Sequence, residues 1–274
     1  MKNILVPIDF SVASNNAAKY AVSLAQAFDA TVYMFNAVLP PVLIDDSILA
    51  SVMVTQAEIV REHNKFIEQQ VETFSKEYSV NIKGLVREGY ATKIIPELAA
   101  ENDIVVIVMG MKGEGRSISI FGSTTTTVIR KSSYPVFVIP ENADYQPTAN
   151  ITLASDFDTD IEMDRYNVLL ALAQKFKSKI NIINIQKKSS SLNPEKAVGK
   201  RQTSLAFSGY NHQFHIINEN KVAEGINQFI EKDHTDILAM VAHKHPLFDR
   251  LFGKVHTKSM SYQTKIPLLV LQSK

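Results

Sequence analysis

Two tandem copies of a doubly wound α/β unit, each a five-stranded parallel sheet with helices on both faces, are the architecture this sequence predicts. Three observations carry that expectation. Apolar, β-branched runs of the kind that fill buried parallel strands alternate with amphipathic stretches along the chain. The alternation restarts near residue 149, with several of the same residues in the same order. The length, 274 residues, suits two domains of ordinary size better than one.

In the first half, Asn3 to Ile8 is an apolar run ending at Asp9, and Ser11 and Ser14 offer N-caps for a helix to about Phe28. Ala17, Ala18, Ala21, Leu24, Ala25 and Phe28 recur there at helical spacing and should face a sheet. Thr31 to Val38 reads as a second strand, broken by Pro40 and Pro41. Asp46 to Tyr78 reads as one long helix or two shorter ones, with Ile59, Phe66, Ile67, Val71 and Phe74 on an apolar stripe. Asn81 to Arg87 is a third strand, Gly89 a turn, and Thr92 to Asn102 a helix with Pro96 in its first turn. Ile104 to Met109 and Val136 to Ile139 supply strands four and five. The short helix between them carries Arg130 and Lys131 in its last turn and stops before Pro135.

The stretch after the fourth strand holds the chemistry. Gly110, Gly113, Gly115 and Gly122 form a glycine loop, and Ser123 with four threonines opens the helix. Glycines let backbone N–H groups approach an anion closely, and the free N–H groups at a helix N-terminus favour negative charge. The segment therefore reads as a phosphate cradle; the plainer reading is a flexible turn whose helix is N-capped by Ser123. No Gly-Lys-Ser/Thr follows, as a P-loop needs, and no G-x-G-x-x-G closes directly onto the helix.

The pattern G-x-x-G (Gly110, Gly113), an eight-residue spacer from Glu114 to Phe121, and Gly122-Ser123 lies after a hydrophobic strand and before helix, proline and strand. It resembles the ATP-binding signature of universal stress proteins, with a spacer one residue shorter than that family's usual one. The resemblance implies a Rossmann-like, adenine-nucleotide alpha hydrolase-like fold whose first and fourth strands are neighbours. It implies ATP, with or without Mg²⁺, in the first half only, at Pro7, Ile8, Asp9, Ala37, Met109, Gly110, Met111, Gly113, Gly122, Ser123 and Thr124. The glycines and Ser123 would surround the phosphates, with Asp9 and Ala37 near the ribose and base. Asp9 also reads simply as a turn or helix-capping carboxylate, and Lys112 and Arg116 as either phosphate partners or solvated cations. The function implied is that of a stress-response or energy-state sensor acting through an unknown protein partner, without dedicated catalysis. Two alternatives stay open: a slow ATP hydrolase, for which Asp9 or Glu114 could hold a metal but no base is identifiable, and an interaction protein that binds no nucleotide.

After a polar linker, Asn150-Ile151 to Asp156-Phe157 repeats Asn3-Ile4 to Asp9-Phe10, and Leu172-Ala173-Gln174 repeats Leu24-Ala25-Gln26. Asn184 repeats Asn36, and Pro267-Leu-Leu-Val repeats Pro135-Val-Phe-Val. The expected domains are 1–141, with the glycine loop, and 149–274, a degenerate copy. In the second, Ala242, His243, Lys244, His245 and Pro246 follow the fourth strand, and Ala242 and His245 are expected to carry side chains where a cradle needs bare backbone. His243, His245 and His256 lack a recognisable metal-ligand spacing, and Lys244, Arg250, Lys254 and Lys258 read as a solvated face or an anion contact. Because family members commonly pair through their last strand, the two halves are expected to form a pseudo-dimer; a homodimer of the chain is also open.

A net charge of +1 with 21% charged residues gives no bulk electrostatic case for nucleic acid or an anionic membrane. The chain has no cysteines, which excludes disulfides and thiolate metal sites. Asp9 comes too early for a signal-peptide apolar region, and no run approaches the ~18 apolar residues of a membrane helix, so a cytoplasmic protein is expected.

Overall fold

The structure, a computed structural model, describes residues 1–39, 49–111, 122–157, 161–186, 194–242 and 265–272, with the side chains of 49–55 outside the description. The first half contains β1 (Asn3–Pro7), α1 (Val12–Phe28), β2 (Thr31–Val38), α2 (Leu49–Glu77), β3 (Ile82–Glu88), α3 (Ala91–Glu101), β4 (Val106–Met111), α4 (Ser123–Lys131) and β5 (Val136–Pro140). The second contains β6 (Asn150–Ala154), a 3-10 turn at Met163–Tyr166, α5 (Asn167–Phe176), β7 (Lys179–Gln186), α6 (Pro194–Ala206), β8 (His212–Asn218), α7 (Val222–Lys232), β9 (Ile237–Ala242) and β10 (Leu268–Gln272).

All ten of these strands hydrogen-bond into one sheet, ordered β3-β2-β1-β4-β5-β10-β9-β6-β7-β8. Every neighbouring pair is parallel except β5 and β10. Each half is thus a five-stranded parallel array, and the arrays are fused along their last strands. Across the seam Val136 faces Val270, Phe137 faces Leu269 and Val138 faces Leu268. Phe137 and Leu269 occupy the same place after Pro135 and Pro267, so the seam has the self-complementary pattern of a two-fold interface within a single chain. Phe28 and Phe176, the last residues of α1 and α5, meet edge to face at 5.9 Å on one side of the sheet.

Two apolar layers flank the sheet. Residues of α1, α2 and α5 pack with Val6, Val108, Phe137 and Leu269 on one face, and residues of α3, α4 and α7 pack with Ile107, Val138 and Val270 on the other. Strand residues on both faces are fully buried, which is why these strands read as continuous apolar runs. The connection between halves is held at several points. Asn16 donates from Nδ2 to the carbonyls of Pro140 and Ala143, both at 2.9 Å, and Tyr145 packs on Tyr20 at 5.2 Å. Among the described residues no helix is long and apolar enough to cross a membrane.

Local differences from the sequence reading have identifiable causes. The long stretch before Tyr78 includes one helix, α2, whose Ile67 and Phe74 are buried as expected, but Phe66 is 50% exposed and Ile59 36% exposed. They lie at the rim of the stripe, where Phe66 meets Phe10 at 5.5 Å. Helix α3 begins at Ala91, so Pro96 is its sixth residue rather than a first-turn residue. The missing N–H there deprives the Thr92 carbonyl of its helical donor.

A polar network in the second half replaces apolar residues of the first. Asn181, the third residue of β7, stands where β2 has Tyr33, and His215, the fourth of β8, stands where β3 has Leu85. The Asn181 amide donates to Asp233, which leaves its oxygen to accept from His215 Nε2 at 3.1 Å. Lys179 Nζ lies 3.8 Å from the Asp233 carboxylate, and the His215 ring packs on Phe229 at 4.8 Å. Burial pushes the His215 imidazole below its ordinary value; Asp233 opposes that shift, while Lys179 and Lys232 add to it. A depressed histidine takes up its proton in the unfolded chain first, so stability should fall as pH drops through about 6.5 and level off below the folded value. Thermal denaturation at pH values from about 8 to about 5 should show His215→Gln losing less than wild type over that window. Parallel pH profiles would remove His215 from the account.

Candidate functional site

Strands β2 and β4 leave β1 in opposite directions, so the chain's crossovers diverge between β1 and β4, where Ile4 faces Val106 and Leu5 faces Ile107. In a doubly wound sheet the crevice beyond the carboxyl ends of such a pair is where ligands bind. Gly110 is the point on which this crevice is built. A β-carbon there would lie 2.4 Å from the Ala13 carbonyl oxygen and 2.9 Å from the Ser14 nitrogen. The first turn of α1 therefore rests on the backbone of β4. From the other side of the chain, Thr125 Oγ1 donates to the Gly110 carbonyl at 3.4 Å, which seats the first turn of α4 at the same strand end. Two helix N-termini consequently converge there, each carrying a partial positive charge.

These termini are finished differently. Ser11 caps α1, its hydroxyl accepting from the Ser14 N–H at 3.2 Å. The N-cap of α4 is Gly122, not Ser123, and Gly122 has no side chain of its own to cap the helix. The helix's first internal bond is Thr126 N–H to the Gly122 carbonyl at 3.0 Å, so the N–H groups of the preceding turn have no partner within the helix. A β-carbon on Gly122 would meet nothing within 4 Å. Gly110 is thus required by packing, whereas Gly122 faces open space at an anion-favouring helix end.

Asp9 follows β1 and is exposed. Its Oδ1 accepts the Ser11 N–H at 3.1 Å, so the turn-forming role open in the sequence is real. Partial burial pushes the Asp9 carboxyl up, but the Ser11 and Ser14 hydroxyls and the Ser11 N–H outweigh it and hold the group below its ordinary value. The carboxylate is charged at neutral pH and suited to accept hydroxyl or amine donors, not phosphate.

The remaining expected residues divide by position. Pro7 and Ala37 are half-buried at the ends of β1 and β2, and Ile8 is buried, its N–H donating to the Phe35 carbonyl at 2.7 Å. Met109 and Met111 are each 4% exposed, their side chains in the apolar layer under α3 and α4, so only their backbone can face a ligand. Ser123 is exposed and Thr124 half-buried in the first turn of α4. Gly113, like Lys112, Glu114 and Arg116, lies outside the described residues. Sequence reasoning missed His63, whose partner Asn36 only the fold brings near. The sequence marks Ser14 only as a cap and Thr125 only as a hydroxyl donor, while the fold gives them the Asp9 N–H and the Gly110 carbonyl.

The second half carries a side chain at the equivalent position. Counting from the shared strand registers, in which Ile139 faces Gly110 and Leu271 faces Val241, Val241 takes the place of Gly110; Ala242 takes that of Met111. The side chain tolerated there is explained by the helix. α5 starts only at Asn167, after the 3-10 turn, so no first turn equivalent to Ala13–Ser14 presses on the strand.

Residues 1–140 match the model of the universal stress protein family. The chain belongs to that family. A universal stress protein of Methanocaldococcus jannaschii is 30% identical over 139 residues, covering 50% of this chain and 81% of that protein. Among solved structures, a universal stress protein from Archaeoglobus fulgidus superposes with a TM-score of 0.71 at 16% identity, covering 98% of both chains. A protein of unknown function from Pseudomonas aeruginosa gives 0.56 at 15% identity, covering 99% of this chain and 92% of that one. At such identities the likeness to this universal stress protein is one of fold.

Gly110→Ala should destabilise the protein by about 1–3 kcal/mol, because the methyl forces α1 and β4 apart. Gly122→Ala should be close to neutral. Denaturant unfolding of the two variants checks the contrast, and equal losses would show that the α1–β4 contact yields freely.

Proposed function

We propose that this chain binds an adenine nucleotide, ATP, in its first half, and serves as a stress-response or energy-state sensor through a protein partner, without dedicated catalysis. One observation carries the reading: α4 begins at Gly122, an N-cap residue with no side chain of its own, beyond the same strand end that carries the charged Asp9. A helix N-terminus suits phosphate, and a carboxylate at the neighbouring strand end suits ribose hydroxyls or an exocyclic amine. Pro7, Ile8, Ala37 and the backbone of Met109, Gly110 and Met111 would complete the nucleoside side. Ser123, Thr124 and Gly113 would complete the phosphate side, with Mg²⁺ arriving on the phosphates. The loop from Gly113 to Phe121 enters this reading from sequence alone.

The same proposal divides the chain into domains 1–141 and 149–274, descended from one duplicated unit. Left-handed backbone conformations support the duplication, because they recur in pairs: Phe10 and Phe157 (φ 61 and 57), Asp29 and Lys177 (52 and 55), Asp103 and His234 (48 and 47). Three such pairs are hard to reach in unrelated folds, since non-glycine residues seldom adopt this conformation. The second domain, with Val241 at the position of Gly110 and Pro246 following in sequence, would contribute packing and a partner surface, not a second nucleotide site.

Gly122→Val leaves the fold intact and places a side chain where phosphate would sit. ATP affinity by calorimetry should fall roughly tenfold or more, a loss of at least about 1.4 kcal/mol; unchanged affinity would sink the assignment. Titration of nucleotide-free protein should count one ATP per chain, and two equivalent sites would return the second domain to the binders. Mass analysis of nucleotide released on denaturing fresh protein separates the sensor, which should yield ATP, from a hydrolase, which should yield ADP.

A further inference from the structure

The Ile8–Asp9 peptide unit is held at both poles by side chains from different helices and strands. Its N–H, on Asp9, lies 3.3 Å from Ser14 Oγ of α1. Its carbonyl, on Ile8, accepts from Asn36 Nδ2 at 2.6 Å. Asn36 is 4% exposed, so its other amide atom needs a partner as well. That partner is His63, whose Nδ1 lies 2.6 Å from Asn36 Oδ1. Because the Asn36 nitrogen is committed to Ile8, its oxygen can only accept, and His63 must donate from Nδ1. The imidazole is steadied in turn by Phe10, whose ring meets it edge to face at an interplanar angle of 67° with centroids 5.9 Å apart. Phe10 itself is in the left-handed region at φ 61, and this conformation directs the chain from β1 into α1.

We infer that His63 is a positioning residue for the strand-end site: through Asn36 it fixes the Ile8–Asp9 peptide, and so aims the Asp9 carboxylate that the proposed nucleotide would meet. The inference rests on the nucleotide reading for its ligand but on the hydrogen-bond chain for its mechanism. It makes α2 part of the site although none of its residues lines the crevice in the sequence reading. The second half shows what is special about the arrangement. Asn184 makes the same bond to the Ser155 carbonyl at 2.7 Å, but its oxygen is met by Gln186, two residues along the same strand, at 3.0 Å. There the clamp is self-contained; in the first half it hangs on a helix, so any partner or ligand that shifts α2 is felt at Asp9.

Two readouts test this. In nucleotide-free protein, NMR titration of the Asp9 carboxyl should show a depressed value in wild type. It should move up toward the ordinary value in His63→Ala and stay depressed in His63→Asn, whose amide nitrogen takes the place of Nδ1 and restores the donor. Should the alanine variant fail to fold, His63→Leu keeps the packing against Phe10 without the donor. ATP titrations of wild type, His63→Ala, Asp9→Asn and the double variant complete the test. His63→Ala alone should weaken binding about tenfold, as for other groups that orient a ligand-contacting side chain, and should cost nothing further once Asp9 is Asn. Additive losses, or an Asp9 titration indifferent to His63, would overturn the inference. Wild-type protein that shows the Asp9 coupling yet binds no ATP would overturn the nucleotide reading and leave the positioning role standing.

Discussion

A methyl group at position 110 would lie 2.4 Å from the Ala13 carbonyl oxygen, so α1 can rest on β4 only because Gly110 has no side chain. Much of the first half depends on that contact. It brings the Ser11-capped N-terminus of α1 and the N-terminus of α4, which starts at Gly122, to one strand end. It places Ser14 where it meets the Asp9 N–H, and it sets the turn through Phe10 that carries Asp9. Removing the constraint, as the second half does with Val241, coincides with a helix that starts later and a 3-10 turn in place of the first helical turns. A single residue's lack of volume thus governs how two helices and a carboxylate are arranged.

The strands were legible because parallel strands buried on both faces are apolar throughout, and because glycine and proline mark their ends; that the first and fourth are neighbours came from the family resemblance. The Ser11 cap could be read from residue type alone. What could not be read depends on contacts distant in sequence. The glycine pattern pointed to Gly110 as a ligand-facing residue; the structure gives it a packing reason, and only the fold shows that Ala13 lies against it. The register placing Val241 opposite Gly110's role, one residue before Ala242, required the hydrogen-bonded pairing of β9 with β10. Asn36 did leave a trace in the sequence as the partner of Asn184, but His63 left none.

The two halves have used their common frame in different ways. In the first, polar side chains gather at the carboxyl ends of the strands: Asp9, Ser14, Asn36 and His63. In the second, a comparable network of His215, Asn181 and Asp233 lies toward the opposite ends, under α7, where the first half has Tyr33 and Leu85. Buried polar groups must be paired wherever they occur, so each network constrains its own neighbourhood. The first stiffens a strand end beside an open crevice. The second joins an edge strand, β8, to the sheet next to it.

The seam between β5 and β10 has a consequence for what each half is free to become. Separate subunits meeting across a two-fold axis would lose contact on dilution, and every substitution would appear twice, once on each side. Covalent fusion changes both conditions. The partner strand is present at the effective concentration set by a short, well-anchored connection, so the ten-stranded sheet does not depend on how much protein the cell contains. Each substitution is also made once. Phe137 can face Leu269 instead of a second Phe137, and a valine can enter one fourth strand while the other keeps its glycine. A single chain with this seam has the geometry of a dimer without its symmetry, because a change on one side leaves the other as it was.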